Sequence, residues 1–386
     1  MKAFIVVDLG FGDSGKGITT DFLASKYKDS IVVRFSGGQQ ASHAVIINGK
    51  KHVHSSFGSG TLRGRPSYFS EHTSLYLPVL AEELKVLRHK GVSPKLYIHP
   101  QAKVTTPSDV AYNRVLEQYR QHGSVGLGIA ATMKRHNETG YKLTALDLKH
   151  PAVFLAKMAN IKDFYAELCR EQGLSVIAFL KEHDILRTIF NQSFEVELPF
   201  SIQDYDFLRD YEYLIMEGSQ GVLLDMDHGF FPNVTYGNVT SKNAFHVLRQ
   251  GLPILDTELY YVTRCYQNRH GNGWMSNTDY VPLINNRDEI NVYNEWQGNL
   301  RTGELDYSLL NYALDVDRLY SYDHSKNLVV TCLDQRPGFK LDYTKFNTEF
   351  KAVYNSYSPE SKDFREVELP QRERSHLQVL LNRQKV

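Results

Sequence analysis

Residues 10–17 read GFGDSGKG and carry the glycine and lysine spacing of a phosphate-binding loop, G-x-x-x-x-G-K. Gly10, Gly12, Gly15 and Gly17 have no Cβ, so the backbone can turn several N–H groups onto one anion. The positive end of a following helix adds to that attraction, and Lys16 is a compact cation for the outer phosphates. Two features depart from an ordinary loop. Gly17 stands where a Ser or Thr normally holds magnesium, and Asp13 places a carboxylate inside the cradle. A carboxylate beside a triphosphate is strongly repelled, unless a divalent cation lies between them or the carboxylate takes a proton from a substrate. Asp13 as a magnesium ligand would account for the hydroxyl missing at Gly17. The plainer alternatives are a turn that binds nothing, or Asp13 as a helix N-cap, a task Ser14 can also perform.

The elements that must position this loop read as alternating strands and helices, which implies an α/β fold with a largely parallel sheet. AFIVVDL and SIVVRF are short buried strands, with a helix expected from about residue 14 to 28 between them. AVIINGKKHVHSS reads as a hairpin turning at Asn48-Gly49. LPVLAEELKVLRHKG is an amphipathic helix closed by Gly91. KLYIHP, YEYLIMEG, ELYYVTRC and KNLVVTCLD are further strands, and LDYSLLNYALDVDRLY keeps a helical period. No repeat or Gly/Ser linker divides the chain, so a single domain over 1–386 with insertions is expected. Its polar segment from about 356 to 386 is expected on the surface.

Of 386 residues, 42% are hydrophobic and 23% charged, an ordinary globular balance. Lys+Arg and Asp+Glu are 44 each, so bulk charge draws the chain to neither nucleic acid nor an anionic membrane. Cys169, Cys265 and Cys332 form no metal or redox motif, which fits a reducing compartment. With no signal-peptide pattern and no apolar run of membrane-spanning length, a cytoplasmic location is expected.

GFGDSGKG resembles the loop of the adenylosuccinate synthetase family, usually W-G-D-E-G-K-G. The likeness continues in order. VVRFSGGQQASHAVIINGKKHVHSSFGSGTL is similar to the family's R-x-x-G-G-x-N-A-G-H-T segment and its P-S-G turn. GSVGLGIAATMKR is similar to G-T-T-x-x-G-I-G-P-A. MEGSQGVLLDMDHGFFPNVTYGNVT is similar to E-G-A-Q-G-x-L-L-D-x-D-x-G-T-Y-P-Y-V-T-S-S-N. RTGELD, VVTCLDQ and SYSP resemble R-x-G-W-L-D, T-K-L-D and S-x-G-P.

The resemblance implies a P-loop-like fold with helical and hairpin insertions, and a ligase that uses GTP to phosphorylate O6 of IMP before aspartate's amine displaces the phosphate. It implies Asp13 as base and magnesium ligand, and His43 as hydrogen-bond donor to the phosphoryl group, with Lys16 and Gln220 completing the catalytic set. Gly12, Ser14, Gly15, Lys16, Gly17 and His43 would surround the GTP phosphates, with Thr331 and Asp334 at the guanine. ATP or dATP remain open as donors. Asp13, Gln40, Val125, Gln220, Thr235 and Arg301 would contact the substrates, and Asp13 with Ser42 would hold Mg2+. Family likeness further implies a homodimer.

Several positions depart from the family pattern. Gly298 and Leu300 replace two arginines that grip aspartate's carboxylates, leaving Arg301; planar bidentate pairing is not replaced by Gly or Leu. Val125 replaces a phosphate-contacting threonine. Thr139 stands where an arginine reaches across the dimer, with Arg135 nearby but out of register. Gln40 and Ser42 replace an asparagine and a glycine, and Cys332 replaces the lysine before Asp334. The changes cluster around the amine donor and nucleotide phosphate, so altered specificity is expected. The alternatives are a relative acting on another purine nucleotide such as dGMP or with another amine donor, and a non-catalytic purine-nucleotide-binding module.

Overall fold

Between Lys2 and Asp8 the chain carries no polar side chain, and a strand of that pattern must be covered on both faces. The structure, a computed structural model, describes residues 1–120, 123–284, 289, 293 and 298–368. It places this run as β1 (Lys2–Asp8) near the middle of a ten-stranded sheet. After the phosphate loop comes α1 (Lys16–Lys26), which starts two residues later than expected, then β2 (Ser30–Arg34). A hairpin of β3 (His43–Ile47) and β4 (Lys50–His54) follows. It turns at Asn48 (φ 51°) and Gly49 (φ 75°), the paired left-handed residues of the tight hairpin turn.

The chain returns to the sheet as β5 (Ser67–Phe69), passes β6 (Ser74–Leu75) and α2 (Leu77–His89), and lays down β7 (Leu96–Ile98). An insertion follows: β8 (Lys103–Val104) and four helices, α3 (Pro107–Arg120), α4 (Ile129–Glu138), α5 (Pro151–Glu171) and α6 (Val176–Gln192). These helices and α2 share their own apolar core, including Leu84, Val110, Phe154, Tyr165, Phe179 and Phe190. β9 (Phe200–Ile202) and β10 (Tyr213–Glu217) rejoin the sheet, and α7 (Lys242–Leu248) leads to β11 (Asp256–Arg264). A small antiparallel ribbon, β12 (Gln267–His270) with β13 (Leu300–Gly303), precedes α8 (Tyr307–Ser321). The described chain ends with β14 (Ser325–Thr331), β15 (Ala352–Ser356) and β16 (Phe364–Glu366).

The sheet order is β16-β15-β14-β11-β1-β10-β2-β5-β7-β9, and every pairing is parallel except β15 with β16. Phe4 and Val6 pack with Phe22 and Leu23 of α1 on one face. Ala3, Ile5 and Val7 pack with Leu310, Ala313 and Leu314 of α8 on the other. Parallel strands bring their carboxyl ends to one edge, and in open α/β sheets ligands bind there. Asp8, Arg34, Glu217, Arg264, Thr331 and Ser356 are all last residues of their strands. Of the polar segment, residues 356–368 are mostly exposed or half-buried, with two exceptions: Ser356 and Ser361 are buried, because β15 is an inner strand of the sheet and Ser361 donates to Asp21 of α1. Residues 369–386 of that segment lie outside the described residues.

Candidate active site

A buried carboxylate shapes the phosphate loop. Asp8 accepts from Gly10 N (2.8 Å) and Ser14 Oγ (2.9 Å) through one oxygen, and from Ser14 N (2.9 Å) and Lys16 Nζ (3.1 Å) through the other. Lys16 Nζ also donates to the Gln220 carbonyl at 2.5 Å. Ser14 therefore neither caps α1 nor faces the cavity; its hydroxyl is spent on Asp8. The helix N-cap is Gly15 in the left-handed region, with no side-chain cap. A Cβ at Gly15 would lie 2.7 Å from Thr331 Cγ2, so both backbone conformation and space demand glycine.

Asp13, at φ 62°, occupies the left-handed conformation that Asp tolerates better than most residues. Its carboxylate opens onto a cavity of about 240 Å³ and has no hydrogen-bond donor among the described residues. Burial raises its pKa above the usual carboxylate value, with Lys16 and Arg264 opposing. Its backbone carbonyl accepts from Arg264 Nε at 2.7 Å, and Arg264 Nη1 in turn donates to Glu289 at 2.6 Å. Asp13 is not a helix cap.

His43 opens the β3 strand and lines the same cavity. A Cβ at Gly17 would sit 2.8 Å from His43 Cβ and 3.2 Å from the Ala44 carbonyl. The absent hydroxyl at position 17 thus has a steric cause: α1 must touch β3 for the imidazole to reach the loop. His43 Nδ1 pairs with Glu217 Oε1 at 2.7 Å, while Ser59 donates to both Glu217 oxygens through its N–H (3.1 Å) and its hydroxyl. Burial disfavours the charged carboxylate, but His43, Arg34 and Ser59 outweigh it and hold Glu217 at about 2. Burial, Arg34 and Lys16 push His43 down to about 4 against the pull of Glu217. The resting pair is an anionic glutamate accepting Nδ1–H from a neutral imidazole, which leaves Nε2 as an acceptor. Arg34 is fully buried beside them, its Nε and Nη1 unpartnered among the described residues.

Gly15, Lys16, Gly17, Ser42, Thr331 and Asp334 line the cavity with Asp13 and His43, as do Arg264, Glu289, Cys332, Ser356, Ser358 and Pro359. Thr331 Oγ1 donates to the Ser14 carbonyl at 2.7 Å, tying β14 to the loop. Gln220, Gln40, Thr235, Val125 and Arg301 are not part of this cavity wall. Gln220 packs its backbone on Gly12, 3.4 Å from where a Cβ would be, and its side chain accepts from Gln40 Nε2 at 3.4 Å. The side-chain Oε1 of Gln40 is buried and without a partner among the described residues. Thr235 donates its N–H to the Leu224 carbonyl. Arg301 donates to the carbonyls of Gly271 and Gly273 at 2.8 Å each. It lies opposite Arg269 across β12 and β13, and Arg269 also donates only to carbonyls. Val125 lies in the loop before α4, whose Gly123 touches Asn272. Arg135 is fully buried, in a two-bond pair with Asp109 and donating to the carbonyls of Val104 and Tyr141.

The residues sequence reasoning missed are Asp8, Arg34, Ser59, Glu217, Arg264 and Glu289. Two of them left a signal: Glu217 and Arg34 are lone charges ending apolar strands, each directly before a glycine- and polar-rich loop.

Fold and cavity together define an open parallel α/β protein with a phosphate loop after its central strand. The family model described as adenylosuccinate synthetase matches residues 5–368. The chain belongs to that family of C–N bond-forming, nucleotide-dependent purine nucleotide ligases. It is 28% identical over 381 residues to the adenylosuccinate synthetase of Clostridium beijerinckii, covering 94% of this chain and 84% of that one. It is 30% identical over 287 residues to that of Nitrosococcus oceani, covering 70% and 64%. Among solved structures it shares its fold with fully ligated adenylosuccinate synthetase from Plasmodium falciparum (TM-score 0.64, 20% identity, 95% and 86% covered). It shares it equally with the succinoaminodeoxyadenylate synthetase of cyanophage S-2L, solved with dGMP and with dATP as energy donor (TM-score 0.64, 16% identity, 99% of each chain). No helix among the described residues is long and apolar enough to cross a membrane.

Proposed function

We propose that this protein, acting as one domain with insertions, phosphorylates O6 of an IMP-like 6-oxopurine nucleotide with GTP and couples C6 to an amino acid, L-aspartate by default. The observation that carries this reading is the Asp13 carboxylate, without a donor among the described residues and sharing one cavity with Lys16 and His43. A 6-oxopurine is a lactam and a poor electrophile. Asp13 accepts the N1 proton and the electron pair moves to O6. O6 then attacks the γ-phosphorus, and the bond to the β,γ-bridging oxygen breaks. The amine nitrogen adds to C6 and inorganic phosphate leaves.

His43 serves this sequence once the phosphoryl group arrives. Negative charge near Nε2 on one side and Glu217 on the other favour an imidazolium, which can donate to the transferring oxygens. Asp13 and Ser42 offer the oxygen donors that suit a hard cation, and they would hold Mg2+. When bound, that ion supplies neutralisation of the triphosphate. Asp334 on the cavity wall suits guanine N1 and N2. A homodimer is carried over from the family as part of the proposal.

A second reading keeps the phosphoryl transfer but changes the acceptor to a nucleotide such as dGMP, or changes the amine. The Gly298 and Leu300 replacements favour it. Crossing IMP and dGMP with GTP, ATP and dATP and with a panel of amino acids, while measuring phosphate release and the coupled product, tests both. Release with IMP, GTP and aspartate is the expected result. Release confined to dGMP or another amine selects the second reading, and none across the panel leaves a nucleotide-binding module.

A further inference from the structure

Outside the cavity wall, three side chains converge: His52 and His54 of β4 and Glu83 of α2. All are buried, His54 completely. Residues two apart on a strand share a face, so the His-x-His pattern directs both imidazoles at the helix that supplies the glutamate. His52 Nε2 lies 3.2 Å from Glu83 Oε1, and His54 Nδ1 lies 3.3 Å from the same oxygen. The rings meet edge to face at 4.5 Å.

Hydrogen bonding accounts for His52 and Glu83 but not for His54. The second oxygen of Glu83 accepts the N–H groups of Ser55 (3.1 Å), Ser56 (2.5 Å) and Phe57 (3.3 Å). Its first oxygen accepts from His52 among the described residues, with His54 Nδ1 3.3 Å away. Both nitrogens of His54 lack a hydrogen-bond partner among the described residues, although neither reaches water. A buried imidazole with two unsatisfied nitrogens is costly. The distances suit another interaction. Zinc bonds to His N and carboxylate O are about 2.0–2.2 Å long, so neighbouring donors in a tetrahedral site stand roughly 3.3 Å apart.

We propose that His52, His54 and Glu83 form a binding site for one divalent transition metal ion of the zinc type. Two imidazoles and one carboxylate supply three donors, a set such ions accept with water in the remaining position. The exposed Lys90 ammonium donates to the Lys51 carbonyl at 2.7 Å and reaches His52 Nδ1 at 3.1 Å. It gives up the second contact when Nδ1 carries the proton and Nε2 turns to the ion. The ion would pin the hairpin to α2, and His54 is the cross-strand partner of His43. It therefore steadies the strand that presents the active-site imidazole.

The test uses the full-length protein, stripped with a chelator and titrated with Zn2+ against a chromogenic competitor. One equivalent should bind tightly and raise Tm, and the chelator should reverse the rise. His54→Gln and Glu83→Gln should weaken binding by at least about 100-fold, more than the loss of an outer-shell partner produces. His72→Ala/His246→Ala, in the more exposed Glu71–His72–His246 cluster, should leave it unchanged. Since buried changes can unfold a protein, crystals of the unaltered chain grown with zinc locate the ion independently of mutagenesis. An anomalous peak among the three side chains supports the site. Failure of the folded chain to take up zinc, or a peak only elsewhere, overturns it.

Discussion

His43 Nδ1 and Glu217 Oε1 lie 2.7 Å apart, although 174 residues separate them in the chain. The anionic glutamate fixes the proton on Nδ1 and aims Nε2 at the cavity, the role a buried carboxylate plays behind a catalytic histidine elsewhere. In Glu217→Gln the amide keeps the shape but loses the charge that supports an imidazolium. We expect kcat to fall by about 10²–10⁴-fold, the usual range for losing general acid–base assistance, with KM for the nucleotides nearly unchanged. Steady-state kinetics checks this. A variant with kcat within a few-fold of the parent would show that Glu217 only fills space.

The same pair sets a direction for acid sensitivity. The folded value of His43 is depressed to about 4 from an ordinary 6.5. Between those values the unfolded chain binds a proton that the folded chain refuses, so stability is full above pH 6.5 and is lost as pH falls toward 4. Glu217, depressed from 4.5 to about 2, extends the loss to lower pH. His43→Asn cannot titrate, and its Tm should decline less steeply than the parent's from pH 6.5 to 4. Parallel Tm curves for the two proteins would contradict the assignment.

Asp13 has the opposite sign. Burial raises its pKa above the ordinary carboxylate value of 3.8, so at neutral pH this carboxyl works against folding. Asp13→Asn removes that charge while keeping the volume. It should raise Tm at pH 7 and reduce turnover by about 10²–10⁴-fold through loss of the base. Nucleotide binding measured by calorimetry without metal should hold or tighten, since a carboxylate next to phosphates is gone. Unimpaired turnover would remove Asp13 from the chemistry.

How much of this was legible depended on chain distance. The strands before the phosphate loop and before Gln220 announced themselves as apolar runs, and Asp13, Lys16 and His43 carried recognisable neighbours. Glu217, Ser59 and Arg264 acquire meaning only when strands distant in sequence are laid side by side; no spacing encodes the pairing of Arg34 with Glu217 across β2 and β10. Ser14 misled because a serine before a helix is a common cap, whereas here a strand-end carboxylate, Asp8, competes for its hydroxyl more effectively. In the polar stretch from 356, composition reports average exposure and hides the two buried serines. Ser356 ends an inner strand and is buried whatever its polarity. Gly17 was read through the chemistry it lacks rather than the contact it permits.

That contact is testable. Gly17→Ser restores the hydroxyl usual in phosphate loops, yet its Cβ would stand 2.8 Å from His43 Cβ, too close for any relaxed pair of carbons. Either α1 moves off β3 or the imidazole moves off Glu217. Overpacking of this kind costs about 1–3 kcal/mol, so Tm should drop and kcat should fall with it. Gly17→Ala adds the same Cβ with no hydroxyl and should behave alike, which separates crowding from any gain in metal binding. If Gly17→Ser instead raised activity at low magnesium while Gly17→Ala did not, the missing hydroxyl would be a deficit in metal binding and not a clearance for His43.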